Sequence, residues 1–259
     1  MKKWRTILMT AVAAVLFCGC SEQPKEKTFT VGFDSDFPPY GYKENGVYKG
    51  FDLDLAREVA RRNQWKIVLR PINWDSKDME LNTGSIDCIW NGFTINGREN
   101  AYLWSDPYVA NQQVVMVKAG SPIRKLADLA GKIVVVQTDT PVQKALSKGG
   151  EREKLGATFK RMVIAPNYNN AVMELEAGSV DAVALDIGVA RKKQSDAPGK
   201  FVLLDEIVMT ENYGIGFRKG NTELRDTVQK TLRAMIADGT AAKISAQYFN
   251  GQNVLTLKP

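Results

Sequence analysis

The stretch Gly84-Ser85-Ile86-Asp87-Cys88-Ile89-Trp90-Asn91-Gly92-Phe93-Thr94-Ile95-Asn96-Gly97-Arg98 decides how this chain is read. Residues 86–90 form a short, mostly apolar run between turn residues, which predicts a buried strand ending at Asn91-Gly92. Polar and flexible residues gather beyond that end. In open α/β sheets ligands bind just past the carboxyl ends of strands, so the Thr94 hydroxyl and the Arg98 guanidinium stand where a ligand would arrive. A guanidinium can hold a carboxylate through two parallel hydrogen bonds. The two Asn-Gly pairs read equally well as plain turns, with Arg98 a solvated loop charge. The rest of the chain weighs between the two.

A second stretch echoes the first. Gly178-Ser179-Val180-Asp181 nearly repeats Gly84-Ser85-Ile86-Asp87, and residues 180–186 again run from a turn through an apolar strand to a polar end, at Asp186. An apolar-faced helix over residues 169–177 precedes it. Further strands are predicted over residues 28–33, 66–69, 112–118, 132–136 and 213–217. Helices are predicted over residues 51–62, with Phe51, Leu55 and Val59 on one face, and over residues 224–238, closed by Gly239. Thr140-Pro141 reads as a helix start, Thr as cap and Pro in the first position. Trp74 falls in a loop. This alternation predicts α/β units with largely parallel sheets and two polar strand ends facing each other, with a ligand between them.

Composition removes several kinds of chemistry. The chain of 259 residues has no histidine, which excludes His-based general base catalysis, Ser-His-Asp and Cys-His nucleophiles, and most zinc-enzyme ligand sets. No metal or cofactor is expected. Residues 1–20 have a basic start, an apolar run over residues 7–17 and Gly19 before Cys20, the build of a secretory signal. Gly19-Cys20 also resembles a bacterial lipoprotein cleavage site, with Cys20 lipidated; Phe17 stands where that pattern usually has Leu. Without Lys2, Lys3 and Arg5 the formal charge of +6 falls to +3, too mild to argue for nucleic acid. Residues 21–27 read as a tether. Once Cys20 is consumed only Cys88 remains, and within its strand it reads as a small core residue.

At the level of ordered motifs the chain resembles the bacterial extracellular solute-binding proteins, family 3, which deliver polar amino acids to ABC transporters. The likeness rests on Gly32-Phe33-Asp34 with Pro38-Pro39-Tyr40, on Gly50-Phe51-Asp52-Leu53-Asp54-Leu55-Ala56, and on Gly92-Phe93-Thr94. Val180-Asp181-Ala182-Val183, Tyr213-Gly214-Ile215-Gly216-Phe217 and Asp238-Gly239-Thr240 complete it. The resemblance implies a type II periplasmic-binding-protein-like α/β fold of two lobes, residues 28–112 with 208–257 and residues 113–207, joined by two hinge crossings. It implies a monomer, exported to the periplasm or the outer face of the cytoplasmic membrane, that hands an amino acid to a membrane permease. Carried over position by position, Arg98 would clamp the ligand carboxylate beside Thr94, and Asp186 would hold the ammonium with the Gly92 carbonyl. Phe37 and Trp74 would sandwich the side chain, and Asp34 would face its far end, favouring side chains that carry donors.

Two departures stand out. The Thr94-to-Arg98 spacing is one residue shorter than the family's usual one, and Pro141 stands where many members offer an N–H, leaving Thr140 as the donor from the second lobe. Structural roles compete residue by residue: Phe37 and Trp74 as core, Asp186 as a helix cap, Asp52 and Asp54 as carboxylates favouring a helix start. The same fold also includes exported dehydratases of prephenate or arogenate, in which Asp34, Asp139 or Asp186 would donate a proton to the leaving hydroxyl.

Overall fold

The computed structural model describes residues 26–259. The signal over residues 1–20, lipidation of Cys20 and most of the tether over residues 21–27 lie outside the described residues.

The first unit opens with strand β1 (Thr28–Phe33), two short strands β2 (Asp36–Phe37) and β3 (Gly41–Glu44), and β4 (Val47–Lys49), which pairs with β3 as a hairpin turning at Asn45-Gly46. Helix α1 (Phe51–Arg62) follows with the predicted bounds. It buries Phe51, Leu55 and Val59, carries Asp52 and Asp54 in its first turn, and ends on Arg61 and Arg62, complementing the helix dipole at both ends. Its cap is Gly50, at φ 140, where a Cβ would lie 2.1 Å from the Tyr40 carbonyl oxygen; only glycine lets the loop approach so closely. Strand β5 (Lys66–Pro71) pairs parallel with β1. Trp74, expected in a loop, instead opens a 3-10 turn (Trp74–Ser76) that runs into α2 (Lys77–Asn82).

Strand β6 (Cys88–Thr94) corrects the opening expectation. It does not stop at Asn91-Gly92 but continues to Thr94, buried throughout. Its partner, the long strand β13 (Met209–Phe217), pairs Ile89 with Gly216 and Phe93 with Gly214, so Trp90, Asn91 and Gly92 face a single residue. The excess is taken up as a bulge with Gly92 at φ 56. Asn-Gly thus marks a kink inside a strand, a use of the pair that looks the same in sequence as a turn. Between them lie β7 (Leu103–Trp104), β8 (Val109–Lys118), β9 (Ile133–Gln137), β10 (Arg161–Ala165), β11 (Ala182–Asp186) and β12 (Phe201–Leu203). The main sheet runs in the order β10-β9-β11-β8-β13-β6-β1-β5. Helices α3 (Pro141–Leu146), α4 (Glu153–Gly156), α5 (Tyr168–Ala177) and α6 (Ile187–Asp196) belong to the middle of the chain, and α7 (Thr222–Ala237) and α8 (Thr240–Tyr248) pack with α1.

The sheet is mixed rather than largely parallel. β1, β5 and β6 are parallel, as are β9, β10 and β11, but β8 and β13 run antiparallel to their neighbours and to each other. One carries the chain out of the first half of the sheet and the other carries it back, so their directions must oppose. Between them, Glu211 pairs with Asn111 and Met209 with Gln113, while Gln113 also faces Asp186 of β11.

The four-residue echo has a shared structural cause. Gly84 and Gly178 both adopt left-handed backbone, φ 76 and 77, each at the end of a helix. Three residues later, Asp87 Oδ2 accepts the Thr30 N–H at 2.6 Å and Asp181 Oδ2 accepts the Ile133 N–H at 2.7 Å. Each carboxylate pins its strand to the parallel strand beside it.

Asp52 reaches further than a helix start. Its buried carboxylate accepts the Gly92 N–H at 2.6 Å and so braces the bulge, while Oδ1 has no partner. Burial pushes its carboxyl up from 3.8 to about 7. A raised carboxyl favours the protonated fold, so its stabilisation is complete below the unfolded value and is lost as pH rises through about 7. Asp52→Asn keeps an acceptor for Gly92 without the charge. We expect it to flatten the fall in stability between about pH 4 and 7 by up to about 4 kcal/mol, read from urea midpoints at each pH; an unchanged slope would show that Asp52 does not titrate there.

Candidate ligand-binding site

The polar ends of β1, β6, β9 and β11 converge on one cavity. All eight residues singled out from sequence line it: Asp34, Phe37, Trp74, Gly92, Thr94, Arg98, Thr140 and Asp186. Asn91, Gln137 and Pro141 complete the lining.

One wall comes from the loops after β1 and β6. Asp34 Oδ1 accepts the Asp36 N–H at 2.8 Å, and burial pushes its carboxyl up from the usual range. Phe37 stacks obliquely with Tyr168 at 5.8 Å between ring centroids, and Trp74, half-buried, stands edge-on to Phe93 at 5.4 Å. Gly92 needs both its left-handed backbone and its lack of a side chain, since a Cβ would lie 2.8 Å from the Phe37 ring. The shortened loop to Arg98 closes as a turn, with the Arg98 N–H donating to the Ile95 carbonyl at 2.8 Å and Gly97 at φ 76. The guanidinium still reaches the cavity, lying 5.2 Å from the Phe93 ring centroid and donating to the Asp139 carbonyl at 2.6 Å.

The facing wall is built by the ends of β9 and β11. Thr140 caps α3, its hydroxyl donating to the Gln137 carbonyl at 2.7 Å and accepting from the Gln143 N–H at 3.4 Å. The hydroxyl is therefore engaged, and the backbone N–H is what Thr140 can offer a ligand. Asp186 occupies the cap position of α6 but makes no capping bond with its side chain. The carboxylate turns inward instead, accepting from Asn111 at 2.8 Å, Gln113 at 3.0 Å, Tyr168 at 2.9 Å and Tyr213.

Side-chain bonds cross between the walls. Gln137 donates to Asp34 at 2.8 Å, Asn169 to Asp36 at 2.5 Å and Thr138 to Asp75 at 3.1 Å, and the buried Lys77 pairs with Asp139. Gln137, Lys77, the pairing of Asp139 across the walls and the cage around Asp186 escaped sequence reasoning. For the cage a signal existed: Asn111 and Gln113 lie two apart in a strand that is apolar from Val114 to Val117, which places two amides on one buried face, with Gln112 on the other.

The family model for bacterial extracellular solute-binding proteins, family 3, matches residues 29–251. The chain is 31% identical to a "Probable histidine-binding protein" of Neisseria gonorrhoeae, with 96% of each chain covered. It is 30% identical to the arginine-binding extracellular protein ArtP of Bacillus subtilis, over 97% of this chain and all of that one. Among solved structures it is similar to an ABC uptake transporter substrate-binding protein from Streptococcus pneumoniae with bound histidine, at a TM-score of 0.83 and 28% identity, covering 89% of this chain and 95% of that one. With a match from near the start of β1 to beyond α8, this chain belongs to the bacterial extracellular solute-binding proteins, family 3.

Proposed function

We propose that this protein binds an amino acid between two lobes, residues 28–112 with 208–257 and residues 113–207, and delivers it to the permease of an ABC importer. It acts without turnover, outside the cytoplasmic membrane and held there by lipid on Cys20. The observation that carries the reading is that Arg98 and Asp186, a cation from one half of the sheet and a buried anion from the other, line the same cavity. A zwitterion needs one fixed charge of each sign, and Phe37 and Trp74 supply apolar walls between them. Charged hydrogen bonds of about 1.5–3 kcal/mol each, made by both ligand ends, reach the roughly −8 kcal/mol of a micromolar ligand.

Asp34 sets the side-chain preference. With Gln137 beside it, Asp34 offers a buried acceptor to a guanidinium, ammonium, imidazole or amide, and it would repel a side-chain carboxylate. The names of the relatives, for histidine and arginine, agree with that class of ligand. Hinge closure follows because only the closed form touches both ligand ends.

A thermal-shift screen of the common amino acids on protein lacking residues 1–27 tests this. At a hundredfold excess over Kd a true ligand adds about 2.7 kcal/mol, a rise of roughly 5–10 °C. Arg98→Ala should abolish that rise while leaving the unliganded melting temperature nearly unchanged; a full response from this variant would remove Arg98 from the site. Asp34→Asn should reorder which side chains bind best, moving basic ligands down by tenfold or more relative to glutamine. An unaltered ranking would detach specificity from Asp34.

A further inference from the structure

Behind Asp186 lies a second acid that the ligand cannot touch directly. Glu211, on β13, is 2% exposed and shares the cage of Asp186: the Asn111 amide donates to Glu211 Oε1 at 2.6 Å and the Gln113 amide at 2.8 Å. The same two amides reach Asp186 Oδ1, so each NH₂ group bridges the two carboxyl groups. Glu211 and Asp186 are thus held side by side, linked through both amides. Two ionised carboxylates placed so close, both buried, repel strongly, and one proton held between them relieves the repulsion.

Among the described residues no cation is paired with these acids. Tyr40 approaches from the β2–β3 connection, Tyr168 from α5 and Tyr213 from β13, all neutral phenols whose own ionisation burial and the acid pair hold far above neutrality. Asn111 and Gln113 on β8 are uncharged. Arg191 and Lys192 of α6 and Tyr248 of α8 line the groove on the outer side of Glu211, but Lys192 is paired with Asp196, and among the described residues no Lys or Arg forms an ion pair with Asp186 or Glu211. Glu211 Oε2 has no partner.

We propose that Glu211 is a positioning residue for ligand binding: it holds one proton jointly with Asp186 in the free protein, and that proton leaves when the ligand's ammonium arrives. The inference rests on the reading of Asp186 as the ammonium site. In the free protein the pair carries one negative charge and one proton. The ammonium enters with its three N–H groups intact, its charge makes the doubly ionised pair favourable, and the proton passes to solvent. Burial, and then the charge of Asp186, push Glu211 up, and burial pushes Asp186 up as well. Free protein below about pH 8 therefore retains the proton, and affinity must rise with pH across that range, by up to tenfold per pH unit for one proton released.

Calorimetry of the best amino acid in buffers of different ionisation enthalpy, between pH 6 and 8, measures the proton count. Wild type should release close to one proton per ligand, with an affinity that climbs with pH; Glu211→Gln, which preserves the amide contacts, should release none and bind with a flat pH profile. Equal proton release and equal slopes in the two proteins, or none in wild type, would overturn the proposal. Should no amino acid bind wild type, the amino-acid reading fails, and infrared spectra of the free proteins at pH 7 judge the shared proton by themselves. A carboxylic-acid C=O absorption that weakens in Glu211→Gln supports it, and identical spectra refute it.

Discussion

The buried carboxylate of Asp186 is the constraint around which the middle of the molecule is arranged. An isolated carboxylate in this position would cost many kcal/mol in lost hydration, and four hydrogen-bond donors replace that water. They come from three separate elements, β8, β13 and α5, so the cage exists only when both crossing strands and the α5 helix are docked. Binding chemistry and chain topology meet at one residue: the strands that join the halves of the sheet also hold the anion.

That arrangement explains why the crossing strands tolerate polar residues. Asn111, Gln113 and Glu211 interrupt runs that otherwise bury Val109, Val114, Val115, Met116, Tyr213 and Ile215. Each apolar side chain of this size is worth about 1.5–3 kcal/mol when buried, so three polar replacements in adjacent strands forgo substantial burial. The loss is intelligible because the two amides satisfy both acids at once. By contrast, Asp87 and Asp181 serve only the sheet, each fastening the end of a parallel strand through a backbone N–H.

Much of this was legible in the chain. The helix over residues 51–62 was readable to the residue because apolar spacing, acidic start, basic end and a leading glycine all agreed. Thr94, Arg98 and Asp186 stood out as polar groups at strand ends, where α/β sheets place ligands, and the family resemblance supplied Asp34, Phe37, Trp74, Gly92 and Thr140, which line the same cavity. Strand direction was not legible: periodicity reports burial, and β8 is as apolar as a parallel core strand while running antiparallel. Nor was the bulge at Trp90-Asn91-Gly92, since Asn-Gly has the same left-handed freedom in a turn as in a kink. The inter-wall contacts of Gln137, Asn169 and Asp139 were invisible for another reason. Their significance lies in contacts 41 to 133 residues away in sequence, which no local pattern encodes.

Under the proposed function, those inter-wall contacts bear on how a ligand controls closure. Gln137 to Asp34 and Asn169 to Asp36 are hydrogen bonds to acids, in which the gain over water is modest. Lys77 to Asp139 has one buried and one exposed member, which weakens it. Their sum favours closure by a few kcal/mol at most, against the ordering of long side chains on both walls. Arg98 adds a subtler element, because its Nη2 already donates to the Asp139 carbonyl of the facing wall. The same nitrogen stands 3.6 Å from Asp139 Oδ1, so under the proposed function a ligand carboxylate meets an arginine that is already paired, and binding need not first desolvate a bare cation. The driving force is then the exchange of acceptors at Arg98, added to the new contact at Asp186, and it is expressed only where both walls meet.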